Sequence, residues 1–466
     1  AGHSMLSYAV NAATALEPQH LIVVVGHLRE EVTGHLDEIA PHCRTAVQDQ
    51  PNGTGHAVQC GLADLDGLTG EVVVTYGDVP MLTGDTLAEL VAAHRANADA
   101  ITVLTARLPD PTGYGRIVRD SEGLVARVVE HKDADDAVRA IDEVNSGIYV
   151  FDAEVLRAGL SRITTDNAQG ELYLTDVLAI ARADGRRVGA YPIDDLWQTE
   201  GVNDRLQLAK MNREMNRRIC EQWMRAGVTI LDPATTWIHA SVDLAADVTV
   251  LPNTFLEGAT SVGAGATIGP DTTLTDVEVG ADATIVRSQL SLAVIGPGAT
   301  VGPFAYVRPG TQLGATGKIG TFVETKNTRI GEGAKIPHLS YAGDAIIDAG
   351  SNIGAGTIFA NYDGDNKFPT HVGKRAFVGS NSVLVAPVDI GDGGYVAAGS
   401  TVTEDVPPGT LAVARGRQKN ADGWVAKRKP GSKADRAANE SADYRPHDEV
   451  AADRARRADA TEAGKQ

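Results

Sequence analysis

Between residues 228 and 425 an aliphatic side chain returns at every sixth position. Ile238, Leu244, Val250, Leu256, Val262, Ile268 and Leu274 form one run. Ile295, Val301, Val307, Leu313 and Ile319 form a second, and Val372, Val378, Leu384, Ile390, Val396 and Val402 a third. Neither the 3.6-residue period of an amphipathic helix nor the two-residue period of a half-buried strand produces this spacing. It is the hexapeptide pattern of a parallel β-helix, in which each short strand turns one aliphatic inward. Three faces close a coil of about 18 residues. Gly follows the aliphatic in Val262-Gly, Ile268-Gly, Ile295-Gly, Val301-Gly, Val378-Gly and Ile390-Gly, where the backbone must turn. The period breaks between Ile353 and Val372. There Phe359-Ala-Asn-Tyr-Asp-Gly-Asp-Asn-Lys-Phe-Pro369 reads as an inserted loop, and breaks in a regular scaffold are where function collects.

The rest of the chain has a different texture. Residues 1–202 alternate strand and helix signals. Leu21-Ile-Val-Val-Val25 and Glu71-Val-Val-Val-Thr75 are short β-branched runs that predict buried strands of a parallel sheet, and Asp85 to Arg95 predicts a helix. This is α/β order, with sites expected at strand C-terminal ends. Residues 203–227 predict one connecting helix, with Leu206, Met211, Met215, Ile219 and Trp223 on its apolar side and Gly227 as its stop. From Lys427 to Gln466 the chain is Ala-rich and charged, with ten Lys or Arg and eight Asp or Glu, and residues 426–466 read as a disordered tail.

Composition excludes several classes. Of the 466 residues, 43% are apolar and 22% charged, which is ordinary for a globular protein. The net charge of −19 leaves no basic stripe for nucleic acid. Apolar runs of about five residues fall far short of the ~20 that a membrane span needs. The three cysteines, Cys43, Cys60 and Cys220, form no Cys-x-x-Cys pair and support neither a disulfide framework nor a zinc site. A cytoplasmic location is the expectation.

Several motifs carry chemistry, each with a plainer alternative. Gln48-Asp-Gln-Pro-Asn-Gly-Thr-Gly-His-Ala57 is a glycine-rich turn opening a helix, whose amides can hold a base edge or a phosphate; it can equally be only a turn. Tyr76-Gly-Asp78-Val-Pro80 follows a strand directly, so Asp78 is either a Mg²⁺ ligand or a helix cap. In the repeat region Ile336-Pro-His338-Leu-Ser-Tyr341 interrupts the pattern with polar groups. His338 is either a general base or a surface histidine. Arg308, Lys326, Tyr341, Asn352, Asn361 and Tyr362 lie one or two coils away and suit an anionic sugar.

Taken in order, Gly-Thr-Gly-His-Ala57, Tyr76-Gly-Asp-Val-Pro, Gly113-Tyr-Gly-Arg116, Glu130-His-Lys, Asn145-Ser-Gly, Glu171-Leu-Tyr-Leu-Thr-Asp176 and Gly201-Val-Asn203 followed by the hexapeptide repeats resemble the GlmU family. Arg308-Pro-Gly, Phe322-Val-Glu-Thr-Lys326, His338-Leu-Ser-Tyr341, Asn352-Ile-Gly-Ala-Gly, Asn361-Tyr-Asp-Gly, Phe377-Val-Gly-Ser380 and Leu384-Val-Ala-Pro extend the resemblance to about residue 425. The family is a bifunctional N-acetylglucosamine-1-phosphate uridyltransferase and glucosamine-1-phosphate acetyltransferase that supplies cell-envelope precursors. The resemblance implies a Rossmann-like nucleotidyltransferase domain, a linker helix and a left-handed parallel β-helix. It implies that Gln48, Gly53 and Thr54 contact uridine, that Tyr76, Gly77 and Asp78 line the nucleotide site, and that Asp78 and Asn203 hold Mg²⁺. Gly115, Glu130, Asn145 and Asn203 would bind the N-acetylglucosamine part. His338 would be the acetyltransferase base, with Arg308, Lys326, Tyr341 and Asn352 on the sugar phosphate. Ala355, Asn361, Tyr362, Ser380, Ala398 and Arg415 would contact acetyl-CoA, in a homotrimer whose acetyl-transfer sites lie at solenoid interfaces. The family opens with a strand and a triphosphate loop of the type Leu-Ala-Ala-Gly-x-Gly-Thr-Arg-Met, and the sequence here begins at positions beyond it. The expectation is therefore impaired uridylyl transfer, an α/β sheet short of one strand, and intact acetyl transfer. Two competing readings are a sugar nucleotidyltransferase with a non-catalytic regulatory solenoid and a purely structural or ice-binding solenoid. The irregular polar positions around His338 and Asn361 speak against both.

Overall fold

The computed structural model describes residues 1–441, and the last 25 residues of the tail lie outside the described residues. The α/β region runs α1 (Met5–Thr14), β1 (Ile22–Val25), α2 (Arg29–Ile39), β2 (Arg44–Val47), α3 (Thr54–Leu62), β3 (Glu71–Val74), α4 (Gly84–Asn97), β4 (Ile101–Arg107), β5 (Arg116–Arg119), β6 (Val125–Val129), α5 (Asp136–Arg139), β7 (Glu143–Asp152), α6 (Ala153–Leu160), α7 (Asp176–Ala183) and β8 (Val188–Ile193). Its main sheet is mixed, ordered β6-β5-β7-β4-β8, with β3 on the other side of β7. β4 is parallel to β8, whereas β3 and β4 both pair antiparallel with β7. β4 is buried along six of its seven residues and centres a core of Ile101, Val103, Tyr149, Phe151, Leu156, Leu174 and Val188.

The two strands predicted as fully buried differ from that expectation. β1 pairs only with β2, in a separate two-stranded parallel sheet, and β3 pairs only with β7. Among the described residues each therefore presents one unpaired row of backbone groups. The valines of both strands are half-buried apart from Val25. A strand closes its burial only when neighbours cover both edges and both faces, and these two have one edge each.

The connecting helix α8 (Arg205–Arg225) starts at Asp204, whose side chain accepts the Gln207 N–H as an N-cap. Met211 and Ile219 are buried as expected, but Leu206 is exposed. The helix has two inward faces instead of one apolar stripe, and Glu214 and Asn216 are buried on it as well.

From Thr229 to Ala412 the chain winds into a left-handed parallel β-helix, three short strands to a coil. Every aliphatic of the six-residue series is buried. The register follows from that burial: Ile238 pairs with Leu256 and Leu256 with Leu274, one 18-residue coil apart. The stacked aliphatics form one continuous core from Ile230 to Val406. The coil that follows Ile347 is longer, since Ile347 pairs with Val372. The extra residues leave as a hairpin in which Tyr362 bridges Lys367, and the Phe368 N–H returns to the Asn361 carbonyl. This is the interruption that the broken period marks.

The β-helix ends at Leu411–Ala412, short of residue 425. Beyond Val413 lies a separate compact unit. It contains two short helices, Trp424–Arg428 and Lys433–Glu440, where composition argued for disorder. Ser432 caps the second by accepting the Asp435 N–H. The reading of disorder over 442–466 lies outside the described residues.

Open strand edges predict uneven resistance to cleavage. Limited proteolysis should cut within residues 1–202 first and leave a resistant fragment carrying the β-helix, identified by mass spectrometry. Equal resistance of both parts would show that β1 and β3 are not weak points.

Candidate functional sites

Two groups of side chains stand apart from the structural core. The first lies at the C-terminal ends of the α/β strands. Tyr76 and Asp78 follow β3, and the Asp78 carbonyl accepts the Val202 N–H at 3.0 Å, which brings Asn203 to the same place. Gly201 packs so close that a Cβ there would lie 3.5 Å from the Asp78 carboxylate. Asn203 donates its own N–H to Gln207 at 2.6 Å, one residue ahead of the helix cap. Gly147, with φ +80°, sits directly against the Tyr76 ring, and any Cβ would collide with it. Asn145 receives the Gly147 N–H and the Tyr149 hydroxyl on its side-chain oxygen, and it donates its own N–H to the Gly115 carbonyl. A Cβ on Gly115 would lie 3.4 Å from the Glu130 carboxylate. Tyr76, Asp78, Gly115, Glu130, Asn145 and the segment that bears Asn203 thus share one neighbourhood. Gly77 packs against Leu6 of α1.

Gln48 directly follows β2. Its side-chain N–H₂ reaches the Gly53 carbonyl and the His56 ring, both at 3.1 Å. Gly53 has φ +103°, and a Cβ there would stand 2.6 Å from the Leu172 carbonyl. Thr54 opens α3, and its hydroxyl accepts the Leu174 N–H. The Gln48–Thr54 turn is therefore clamped to residues 172–174.

The electrostatics of this neighbourhood are acidic. Burial pushes the Asp78 carboxyl above the ordinary carboxylate range. Burial, with Asp133 and Asp176 adding like charge, raises Glu130. Burial raises Asp176, and Tyr76 is pushed up to about 12 by burial with Glu130 and Asp78 nearby. None of these carboxylates is ion-paired to Lys or Arg among the described residues. No group of three or more His, Cys, Asp or Glu that could enclose a metal occurs there either. A half-buried carboxylate with no Lys or Arg partner among the described residues, and with Asn203 on the adjoining segment, still fits Mg²⁺, which takes one or two protein ligands and fills the rest with water and phosphate oxygens.

The second group lies on the β-helix, and it is spread over its edges. One edge carries an unbroken backbone ladder: Thr321 C=O accepts from Leu339, His338 from Gly356, Ala355 from Asn381, and Ser380 from Gly399. His338, Ala355, Ser380 and Ala398 hence stand in one column along the axis, a bulky ring followed by three small side chains. The His338 ring makes no hydrogen bond or ion pair among the described residues, and the side chain is exposed. The next edge carries Arg308, Lys326, Asp344 and the 361–368 hairpin. Arg308 pairs with Glu324 at 2.8 Å and lies over the Tyr306 ring. Asn361 donates to Asp344 at 2.6 Å. Gly343 leaves room for the Tyr341 hydroxyl and the Asn361 amide, both of which a Cβ would strike. Asn352 opens a strand on the third side, paired with Lys335. A prism side of about five residues spans roughly 15 Å, so one chain does not gather Asn352 and the His338 column around the Arg308–Lys326 cluster. Arg415 belongs to the separate unit after Val413.

Lys367 is the residue that sequence reasoning missed. Its ammonium stands against Lys326 and is the main reason that the Lys326 pKa is lowered, with Arg308 adding to it. Among the described residues only Arg308 of these three cations is ion-paired to a carboxylate, and although Asp344 also acts on Lys326, the cluster has the charge to attract an anion. Lys367 sits in the inserted loop, and the backbone bridge to Tyr362 carries it back. No pattern in the sequence announces that return.

Comparison with known proteins bears on both groups. A family model described as nucleotidyl transferase matches residues 1–214. The chain is 52% identical over 452 residues to the "Bifunctional protein GlmU" of Corynebacterium efficiens, covering 96% of this chain and 93% of the relative. It is 56% identical over 436 residues to that of Pseudarthrobacter chlorophenolicus, covering 93% and 89%, and 54% identical over 450 residues to that of Streptomyces avermitilis, covering 96% and 93%.

The raised Glu130 pKa has a signed consequence. The folded state holds this proton to higher pH than the unfolded chain, so stability is lost as pH rises from the ordinary carboxylate value through the raised one, and stays lost above it. Glu130→Gln should therefore melt higher than the parent at neutral pH, and the gap should close below about pH 4. Thermal unfolding across that range checks it.

Proposed function

The chain belongs to the GlmU family of bifunctional proteins, and from that premise we infer an enzyme that makes UDP-N-acetylglucosamine at two separate sites. The β-helix transfers acetyl from acetyl-CoA to glucosamine-1-phosphate. The α/β part then transfers uridylyl from UTP to the N-acetylated product and releases pyrophosphate.

At the acetyl site we assign His338 as general base. The attacking amine must shed a proton as the thioester carbonyl closes, and an imidazole without a competing partner suits that step. Arg308, Lys326 and the added Lys367 would hold the sugar phosphate, with Tyr341 and Asn352 orienting the ring. Ala355, Ser380 and Ala398 continue the His338 column and would border the pantetheine arm of acetyl-CoA, with Asn361 and Tyr362 as its further contacts.

The observation that carries this reading is the division of these residues among prism edges. One copy cannot surround one substrate with them, whereas copies packed side by side can. The His338 edge also carries an apolar ridge of Phe304, Phe322 and Leu339, exposed at 54%, 58% and 61%. All three have positive φ, a conformation that costs a side-chain-bearing residue ~1–2 kcal/mol. The Phe304 and Phe322 rings stack at 5.5 Å. Exposed apolar residues held at that cost support a homotrimer closed along this edge.

At the uridylyl site Asp78 and Asn203 would hold Mg²⁺, which offsets phosphate charge when bound. Gln48, Gly53 and Thr54 would meet the uridine, with Tyr76 and Gly77 lining the nucleotide pocket. Gly115, Glu130 and Asn145 would meet the N-acetylglucosamine. The small-molecule partners are thus sugar phosphates, UTP and acetyl-CoA. No helix among the described residues is long and apolar enough to cross a membrane. Cys43, Cys60 and Cys220 are free thiols, and we place the enzyme in the cytoplasm.

His338→Ala should lower acetyl-transfer kcat by roughly 10²-fold or more and leave the trimer intact, read by thiol release and by light scattering. Mixing His338→Ala with Lys326→Ala chains should restore part of the activity if sites are shared between copies. Near-normal turnover of the single variant removes His338 from the role of base. Asp78→Ala should abolish pyrophosphate release from UTP and spare acetyl transfer. Loss of both together assigns Asp78 to folding.

A further inference from the structure

The linker helix α8 does more than join two parts of the chain. Arg218, on its α/β-facing side, grips Asp195 with two parallel hydrogen bonds, both 2.8 Å. Its Nε donates to Glu214 at 2.8 Å, and Arg217 donates to the same carboxylate. Glu214 is 9% exposed, and these two guanidiniums hold its carboxyl below the usual range; Arg218 does the same for Asp195.

The grip is passed on. Asp195 leads into the single turn Leu196–Thr199 and accepts the Gln198 side-chain N–H at 3.2 Å. The Gln198 oxygen accepts both the backbone N–H and the hydroxyl of Thr83, each at 3.2 Å. Thr83 caps α4, and it lies five residues after Asp78 on the segment that joins β3 to that helix. On the other branch, residues 199–202 run from that turn to the Val202–Asp78 backbone bond and to Asn203. Both segments that bear the candidate Mg²⁺ ligands thus hang from one ion pair on α8.

The same helix is fastened to the β-helix on its other side. Asn216 donates to the Thr236 carbonyl at 2.7 Å and accepts the Ile238 N–H at 3.0 Å, and Ile219 and Cys220 belong to the β-helix core. Arg218 therefore projects from a helix whose register the first coil holds, and it is not free to follow a moving loop.

We propose that Arg218 is a positioning residue for the uridylyl site, setting through Asp195, Gln198 and Thr83 the separation of Asp78 and Asn203. The proposal rests on the uridylyl reading of that site. A planar guanidinium is required because two parallel bonds fix direction as well as distance, which a lysine ammonium does not.

The test uses the full chain with Arg218→Met, Arg218→Lys and Gln198→Leu, the last cutting the relay while leaving the ion pair. Amide hydrogen exchange at Thr83 and Val202 should quicken at least ~10-fold in Arg218→Met and at Thr83 in Gln198→Leu, with Ile238 unchanged. The Mg²⁺ concentration for half-maximal uridylyl transfer should rise several-fold in both, acetyl transfer should be unaltered, and Arg218→Lys should recover only part of the Mg²⁺ response. Unchanged exchange at Thr83 and Val202 overturns the proposal. So does a fall in both activities in proportion to a lowered Tm, which makes Arg218 a general stabiliser. Parent protein without uridylyl transfer counts instead against the functional reading, and the amide exchange still decides whether Arg218 sets the two segments.

Discussion

The parallel ladder of the β-helix is the constraint on which most of this molecule rests. Each short strand hydrogen-bonds to its equivalent one coil on, and each inward aliphatic lands on the aliphatic of the next coil. Because side chains alternate in and out along a strand, a slip of one residue would turn the aliphatics to water. Burial and backbone pairing therefore select the same register, and that register places every outward residue. His338 stands above Ala355 and Ala355 above Ser380 because Ile336, Ile353 and Val378 stack beneath them.

A scaffold this regular also explains where chemistry occurs. The coils tolerate extra residues only at edges, where a hairpin can leave without breaking a ladder. The 361–368 hairpin leaves at the Asp344 edge and returns Lys367 to Lys326. Three guanidinium or ammonium groups at one edge repel one another in the absence of an anion, and a bound phosphate would relieve that repulsion. The exposed Phe304–Phe322–Leu339 ridge follows similar logic. Asp and Asn occupy many of the other positive-φ corners, so apolar side chains at three successive ones are an exception that the coil itself does not call for.

The α/β part has no such repeat. Its site is assembled from the turn after β3, from β7 and from the segment ahead of α8, and these converge only because side chains and backbone cross-brace them. Gly147 admits the Tyr76 ring, the Asp78 carbonyl holds Val202, and Arg218 holds Asp195. β1 and β3 are the exposed members of this assembly, each with a single hydrogen-bonded neighbour. Sequence marked both as strands but overstated their burial. Local composition reports what a strand prefers, not which neighbours it has.

By itself the sequence determined the β-helix, its coil length and the place of its interruption, since one aliphatic per six residues admits no other regular structure. It also marked the strands, the linker helix and nearly all of the candidate site residues, because those motifs are contiguous. Only the tertiary structure decided which of them meet. It separated Asn352 from Lys326, joined Lys367 to Lys326, and tied Asp78 and Asn203 to Arg218 through a relay with no local signature. The physical reason is range. Periodicity and turn chemistry act over a few residues and survive in the written order. A hydrogen bond such as Thr83 to Gln198 joins positions more than a hundred residues apart, and only the folded chain brings them within reach.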